Sequence, residues 1–441
     1  MQHNNTIFLT HAPLSRFIFM MLVFIMSVTA AFSADRSDYA ASIAEAFSSL
    51  TDENAGSTTF HSLYIPSGGR AESMGTAFTA LANDIGFFEY NAAASSTMDA
   101  TQFGIFHNSW IADSALETVA YTKRKENFGW GAMFKCFYVP FTEYDLFGDR
   151  VTSGYYSEST ALLNLSYNFL ANYGFKGIAA GVNFKGSYRS MPDYGDDATG
   201  KVIAGSGLSQ SAFALMGDIG VQMRFNFLKY FQSRTPNFFA GVAFTNAGAA
   251  WTGLDKTPVL DDALPSRLAA GVAWQLAKPV YLSLEFQQPV NLFDISSSEK
   301  WSAGAGLYVQ VASLFAVETG FMLKGASPRL TLGSEFDVLN FKMNVNYTLD
   351  MTSSTNPLNH ISLSAKLNLG DEGRQKRQNE IDKLYIEGLK LYKNGDFEEA
   401  AYVWHQILLL DKSFTPAEEA LAVAEKAAEL QRQIVDIQSL D

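Results

Sequence analysis

FKMNVNYTLDMTSSTNPLNHISLSAKLNL, residues 341–369, decides the fold. Phe341, Met343, Val345, Tyr347 and Leu349 alternate with Lys342, Asn344, Asn346, Thr348 and Asp350. After a polar break, Ile361, Leu363, Ala365, Leu367 and Leu369 alternate with His360, Ser362, Ser364, Lys366 and Asn368. Successive side chains of an extended chain point to opposite faces, so each half reads as a strand with one apolar and one polar face. Upstream, Leu268, Ala270, Val272, Trp274 and Leu276, then Val280, Leu282, Leu284 and Phe286, repeat the pattern opposite Arg267, Gln275, Glu285 and Gln287.

Carried back to Thr101, the alternation predicts strands at 101–109, 116–124, 128–138, 158–169, 176–187, 212–226, 237–246, 266–276, 279–288, 301–310, 314–323, 328–337, 340–349 and 359–369. An even number of strands can close into an antiparallel barrel without exposed edges. Long connections at 139–157, 188–211 and 247–265 fall on one parity, and very short ones at 125–127, 277–278, 311–313 and 338–339 on the other. Three connections, 170–175, 227–236 and 324–327, depart from that rule.

Composition says what the apolar face meets. Charged residues make up 17% of the chain and aromatics 14%, with 35 Phe, 19 Tyr and 33 Gly; soluble domains carry about 25% charged residues. A membrane barrel turns half of each strand toward lipid, whereas a soluble two-sheet sandwich, the alternative, needs more charge on its outer face. The net charge of −13 excludes a nucleic-acid partner, whose phosphates call for a basic surface. Cys136 is the single cysteine and forms no internal disulfide.

Ahead of the strands, Arg16 precedes the apolar run FIFMMLVFIM, Phe17–Met26, and small residues follow at Ser27, Ala30, Ala31, Ser33 and Ala34. That is the layout of a secretory signal over residues 1–34, cleaved after Ser33 or Ala34; the run is short for an uncleaved anchor, which needs about 20 residues. Residues 35–100 lack alternation. Tyr39, Ile43, Phe47 and Leu50 have the spacing of an amphipathic helix. RAESMGTAFTALANDIGFFEYNAAA, from Arg70, reads as a small-residue helix with Met74, Phe78 and Leu81 on one face, able to enter a lumen or to cap its rim.

Gly69, Arg70, Ala71, Gly75, Ala77, Ala80, Ala82, Asn83, Asp84 and Asn91 resemble the start of FadL-type outer-membrane transporters of long-chain fatty acids and other hydrophobic compounds, in an uncharacterised spirochaete-like branch. The similarity covers roughly residues 60 to 370. It implies an all-β transmembrane barrel of about 14 antiparallel strands around an N-terminal helical hatch, working in the bacterial outer membrane. Phe78, Leu81, Phe87, Phe88, Asn91, Ala92 and Ala93 are then the hatch and ligand-binding residues. Where the family's hatch has Asn-Pro-Ala, this chain has Asn91, Ala92 and Ala93, so no proline fixes that turn. A greasy ligand such as a fatty acid is held by apolar burial, and inward Arg267, Arg329, Lys342 and Lys366 are the candidates for its polar head.

Past Leu369 the character changes. After a charged linker, LYIEGLKLYKNGDFEEAAYVWHQILLLD resembles one tetratricopeptide (TPR-like) repeat through Leu384, Gly388, Leu391, Gly395, Phe397, Ala400, Trp404 and Ile407, with Tyr392 beside them. A third helix starts at Thr415. The expected domains are thus the signal at 1–34, the hatch at 35–100, the barrel at 101–370 and a periplasmic helical domain at 371–441. One repeat needs something to cover it, either the third helix with the barrel rim or a periplasmic protein partner. The competing function is a structural or assembly anchor that presents this domain and transports nothing.

No motif points to an enzyme, a cofactor or a metal. Closure brings His107 and His360 to one seam, the only pairing that suggests hydrolysis. Acidic loops at Asp193, Asp196 and Asp197, and at Asp261 and Asp262, read as solvated charge before Ca²⁺ ligands.

Overall fold

The computed structural model describes residues 36–438, apart from 112, 146, 197–198, 200, 253–262 and 353–358. The expected signal therefore lies outside the described residues. Among the described residues fourteen antiparallel strands form one closed barrel, each beside its neighbours in sequence and the first beside the last. They are β1 Gln102–Ser109, β2 Ala115–Lys125, β3 Phe128–Tyr144, β4 Arg150–Phe169, β5 Ile178–Ser190, β6 Ala212–Phe225 and β7 Phe238–Thr252. The rest are β8 Arg267–Ala277, β9 Val280–Pro289, β10 Ser302–Ala312, β11 Phe315–Lys324, β12 Ser327–Val338, β13 Phe341–Asp350 and β14 His360–Asn368. The seam pairs Gln102 with Asn368 and Ser109 with Ile361.

The wall has the two faces that the alternation predicts. Ile105, Phe134, Leu163, Phe184, Ile219, Phe286 and Ile361 are exposed on the outside, while Asn164, Asn183, Gln222, Glu285, Asn344 and Ser362 are buried on the inside. Aromatic pairs mark both ends of this apolar band. Tyr167 and Phe169, Phe225 and Phe238, and Phe227 and Trp274 lie at the end shared with the chain termini. Tyr138 and Tyr155, Phe213 and Trp251, and Phe286 and Trp301 lie at the far end. An apolar belt between two aromatic girdles is the outer surface of a barrel in lipid; a sandwich would carry charge there.

Several limits differ from expectation. β3 runs to Tyr144, β4 starts at Arg150 and β7 reaches Thr252, so the loop expected at 139–157 is largely strand and the one expected at 247–265 begins as strand through Thr252. These extensions stand beyond the aromatic girdle, where the outward side chains need not be apolar and the alternation fades. The irregular connections at the terminal end have a cause as well. Tyr173, between β4 and β5, meets Phe414 edge to face at 4.8 Å, and Arg234, between β6 and β7, pairs with Asp382, so both links dock the C-terminal helices.

The helices are α1 Arg36–Phe47, α2 Arg374–Asn394, α3 Phe397–Leu410 and α4 Thr415–Gln438. Gly395, at φ +91°, ends α2 with its N–H bonded to Tyr392 O. Residues 60–98 run through the lumen and are almost wholly buried. The long helix expected there does not form. Only Arg70–Ser73 is a helical turn, followed by 3-10 turns at Ile85–Glu89 and Ala92–Thr97. Gly75 at φ +63° and Thr76 at φ +61° turn the chain left-handed and stop the helix after one turn.

Candidate functional site

A segment with so little regular structure leaves its backbone groups to be paired by something else, and the wall supplies the partners. Asn164 Nδ2 donates to Ala92 O at 2.8 Å, Asn183 Nδ2 to Phe88 O at 3.2 Å, and Gln222 Nε2 to Ala80 O at 2.7 Å. Ser283 Oγ donates to Ala77 O at 2.6 Å, Asn346 Nδ2 to Gly69 O at 2.7 Å, and Glu285 accepts from Thr79 N at 2.6 Å. Within the segment, Asn91 Nδ2 reaches Thr79 O at 2.8 Å and Val221 O at 3.1 Å, while its Oδ1 accepts from Ala93 N. Close approach depends on inward glycines: a Cβ at Gly129, Gly181 or Gly320 would overlap the backbone of Ser95, Ala92 or Met74 and Gly75.

Charge adds a second layer. Lys366 Nζ pairs with Asp84 at 2.5 Å, Lys135 Nζ with Glu89 at 2.5 Å, and Arg70 Nη2 with Glu335 at 2.5 Å, with Glu318 3.5 Å from Arg70 Nε. Glu72 is held by His360 Nε2 and Ser362 Oγ. Removing one partner of such a buried pair costs about 3–5 kcal/mol.

Above this packed plug, at the far end, lies a cavity of about 210 Å³. Tyr64, Trp110, Arg267, Arg329, Lys324 and His360 are among its lining residues. The Tyr64 hydroxyl and Arg329 Nε are buried without a hydrogen-bond partner among the described residues. Unmet buried polar groups cost about 1–3 kcal/mol each, so a ligand bringing an acceptor would be stabilised here. Lys324 lies 4.2 Å from the centre of the Tyr64 ring and pairs with Glu299 at 3.0 Å. A larger hollow, about 920 Å³, lies at the wall of β2–β6, lined by outward Val119, Phe134, Leu163, Phe184 and Leu215 and by inward Met133, Leu162, Lys185 and Met216.

The structure separates the four lumen cations expected from the sequence. Arg267 and Arg329 line the cavity, and Arg267 also donates to Glu89 O at 2.8 Å. Lys366 is engaged by Asp84, and Lys342, at the terminal end, pairs with Asp337 at 2.7 Å; neither reaches the cavity. Phe78, Leu81, Phe87 and Phe88 form the buried core of the plug, with Phe87 stacked on Phe88 at 4.2 Å. Asn91, Ala92 and Ala93 are wholly buried against β5 and β6, with no lining role in the cavity. Sequence reasoning missed Tyr64, Trp110, Glu72 and Glu299. A clue to Glu72 was available in a carboxylate amid the small residues of RAESMG.

His107 and His360 do share the seam region, but on opposite faces. His107 points outward to Glu117 at 2.7 Å, and His360 points inward to Glu72 and against the Trp110 ring at 4.2 Å. No catalytic pairing results. Of the acidic loop residues, Asp197, Asp261 and Asp262 lie outside the described residues. Asp193 accepts from the N–H groups of Gly207 and Gly205, which hold its carboxyl below the usual range.

The C-terminal helices form their own core of Ile381, Ala400, Trp404, Ile407, Phe414, Ala417 and Ala424, with Leu384 and Tyr392 packed on it. Trp404 lies against Gly388, where a Cβ would overlap the indole. Arg374, at the start of α2, donates to Asp99 O at 2.7 Å and Arg124 O at 3.1 Å, tying the helices to the end of the plug.

A protein of Treponema pallidum (strain Nichols) is 27% identical over 391 residues, covering 87% of this chain and 86% of its own. Among solved structures, the Pseudomonas putida toluene transporter TodX is 11% identical with a TM-score of 0.45, covering 67% of this chain and 95% of its own. The CymD monoaromatic hydrocarbon channel is 11% identical with a TM-score of 0.46, covering 69% and 97%. The profile of one family matches residues 35–372, the lumenal segment and barrel together, and the chain belongs to that family, the uncharacterised protein family UPF0164.

Proposed function

We propose that this protein takes up hydrophobic small molecules across the outer membrane, with residues 60–98 acting as the hatch of the barrel. The observation that carries this reading is the far-end cavity, whose buried Tyr64 hydroxyl and Arg329 Nε are unpaired above a plug that shares an apolar core with the wall and is pinned to it by polar contacts. The TodX and CymD channels carry hydrocarbons by name, and the orientation follows from FadL-type barrels: termini in the periplasm, cavity outside. A cavity of about 210 Å³ is below the roughly 300–1,000 Å³ of ordinary ligand pockets, so a long-chain fatty acid enters fully only when the hatch shifts.

The test is binding of a fluorescent long-chain fatty acid to the refolded barrel, residues 35–370, with and without the segment before Thr101. Saturable binding that changes when the segment is removed supports uptake. No binding in a folded barrel turns the assignment to the second reading, an anchor for the TPR-like helices. That reading has its own support: the Asn91 turn is packed solid, and α4 leaves Val423, Leu430 and Ile434 exposed, more than half accessible, for a periplasmic partner.

A further inference from the structure

The terminal end of the lumen holds a group of cations unlike those deeper inside. Arg124 Nη1 donates to Met98 O at 3.2 Å, Arg224 Nη1 to Thr97 O at 3.2 Å, and Arg374 Nη2 to Met98 O at 3.4 Å and Asp99 O at 2.7 Å. Three guanidiniums from β2, β6 and the start of α2 therefore gather on three successive carbonyls where the plug leaves the barrel. Arg70, Lys135, Lys185 and Lys366 each have a buried carboxylate partner. None of these three has a carboxylate within 4.0 Å among the described residues. Asp99, exposed to solvent, is the acid whose field all three share; Arg374 also feels Asp371 and Glu372, and Lys176 adds to the charge around Arg224. In a chain of net charge −13, like charges kept together over neutral carbonyls need a reason. Carbonyls satisfy guanidinium protons but do not neutralise the charge; an anion does both, and the arginine fork suits a carboxylate.

We propose that Arg124, Arg224 and Arg374 form an anion site at the periplasmic mouth of the lumen, which receives the carboxylate of an amphipathic acid as it leaves the barrel. Membrane lipid meets the outer face of the strands, whereas Arg124 and Arg224 lie on the inner face, so the ligand is a free acid from the lumen. The site rests on the uptake reading and gives it a direction: the acid exchanges a mouth where cations are shared with Glu72 and Glu299 for one where, among the described residues, no carboxylate pairs with the three arginines directly.

The test titrates decanoate and 1-decanol, matched in chain and different in head, into the folded full chain in non-ionic detergent. Decanoate is expected to bind at least about tenfold tighter than decanol, and the preference to shrink as salt is raised. Arg124→Gln with Arg224→Gln should abolish the preference while decanol binding persists, and the Arg124→Lys, Arg224→Lys pair should restore most of it. Heat-modified gel mobility checks that each variant is folded, and the salt series on the unaltered chain needs no variant. A preference that survives in the glutamine pair, or that ignores salt, overturns the site and leaves the uptake reading standing. Failure of both ligands to bind the unaltered chain overturns the uptake reading and the site with it.

Discussion

The barrel wall and the segment it encloses satisfy the same backbone demands in opposite ways. In the wall each strand's N–H and C=O groups bond to the next strand, and side chains are left to divide between lipid and lumen. In residues 60–98 helical turns last for one turn, and side chains of the wall take the place of a ladder: Asn164, Asn183, Gln222 and Asn346 each reach a carbonyl of the segment. The wall's backbone pairing is complete strand to strand, whereas the segment's is completed by side chains of the wall. The first is repetitive and readable; the second is specified by partners hundreds of residues away.

Wall and segment depend on each other most where their backbones touch without side chains between them. Gly320→Val places a Cβ onto the Met74 and Gly75 backbone. It is expected to cost at least about 3 kcal/mol and to displace the segment or prevent folding. The urea midpoint of the heat-modifiable form, with protease access to residues 60–98, measures it. An unchanged midpoint with the segment still protected would show that the contact is looser than the structure has it. On the lipid face, Leu163→Arg should cost about 2–3 kcal/mol in vesicles, as charged residues do near the bilayer midplane, while leaving the segment protected. A soluble outer face would tolerate that change.

Asn91→Ala strips the segment of its own polar hinge and of one bond to β6, leaving the rest of the wall's pairing in place. Thr79 O and Val221 O lose a donor and Ala93 N an acceptor, all in a dry setting. The expected loss is about 2 kcal/mol, read as faster hydrogen exchange confined to residues 79–97. Exchange rising equally in the strands would mean that wall and segment unfold as one unit.

How much was legible in the sequence follows the same division. Phe341 to Asp350 and His360 to Asn368 could be assigned face by face because lipid imposes an apolar side chain at every second place. VPFTEY and RVTSGYYS, which carry β3 and β4 past the girdle at Tyr138 and Tyr155, are not marked by alternation because water imposes no such rule. The helical hairpin was legible in the spacing from Leu384 to Trp404, since both helices pack locally. The plug was not, because nothing in RAESMGTAF says that Gly75 will end a helix against Gly304 and Gly320, or that Asp84 will meet Lys366 across 282 residues. The same holds for the site: Arg267 and Arg329 were found as inward cations, but their separation from Lys342 and Lys366 depends on carboxylates supplied by other elements.

The smallest expected effect lies at the junction with the helices, where neither the wall nor the segment dictates structure. Asp371 accepts from Gln375 N at 2.6 Å and Gly373 N at 3.1 Å, and the Gln375 N–H foremost holds its carboxyl below the ordinary range. A carboxyl whose pKa is depressed on folding contributes stability above its unfolded value of about 3.9, and that contribution is lost as pH falls through the folded value. Asp371→Ala should therefore loosen the first turn of α2 at neutral pH by no more than about 1 kcal/mol, the usual worth of a helix cap. Hydrogen exchange at Gln375 to Arg377 is the measure, with the gap between variant and parent closing as pH falls through the depressed folded value of Asp371. If the loosening spreads to Met98 and Asp99, whose carbonyls Arg374 holds, the helices control the exit of the plug as well as sitting beneath it.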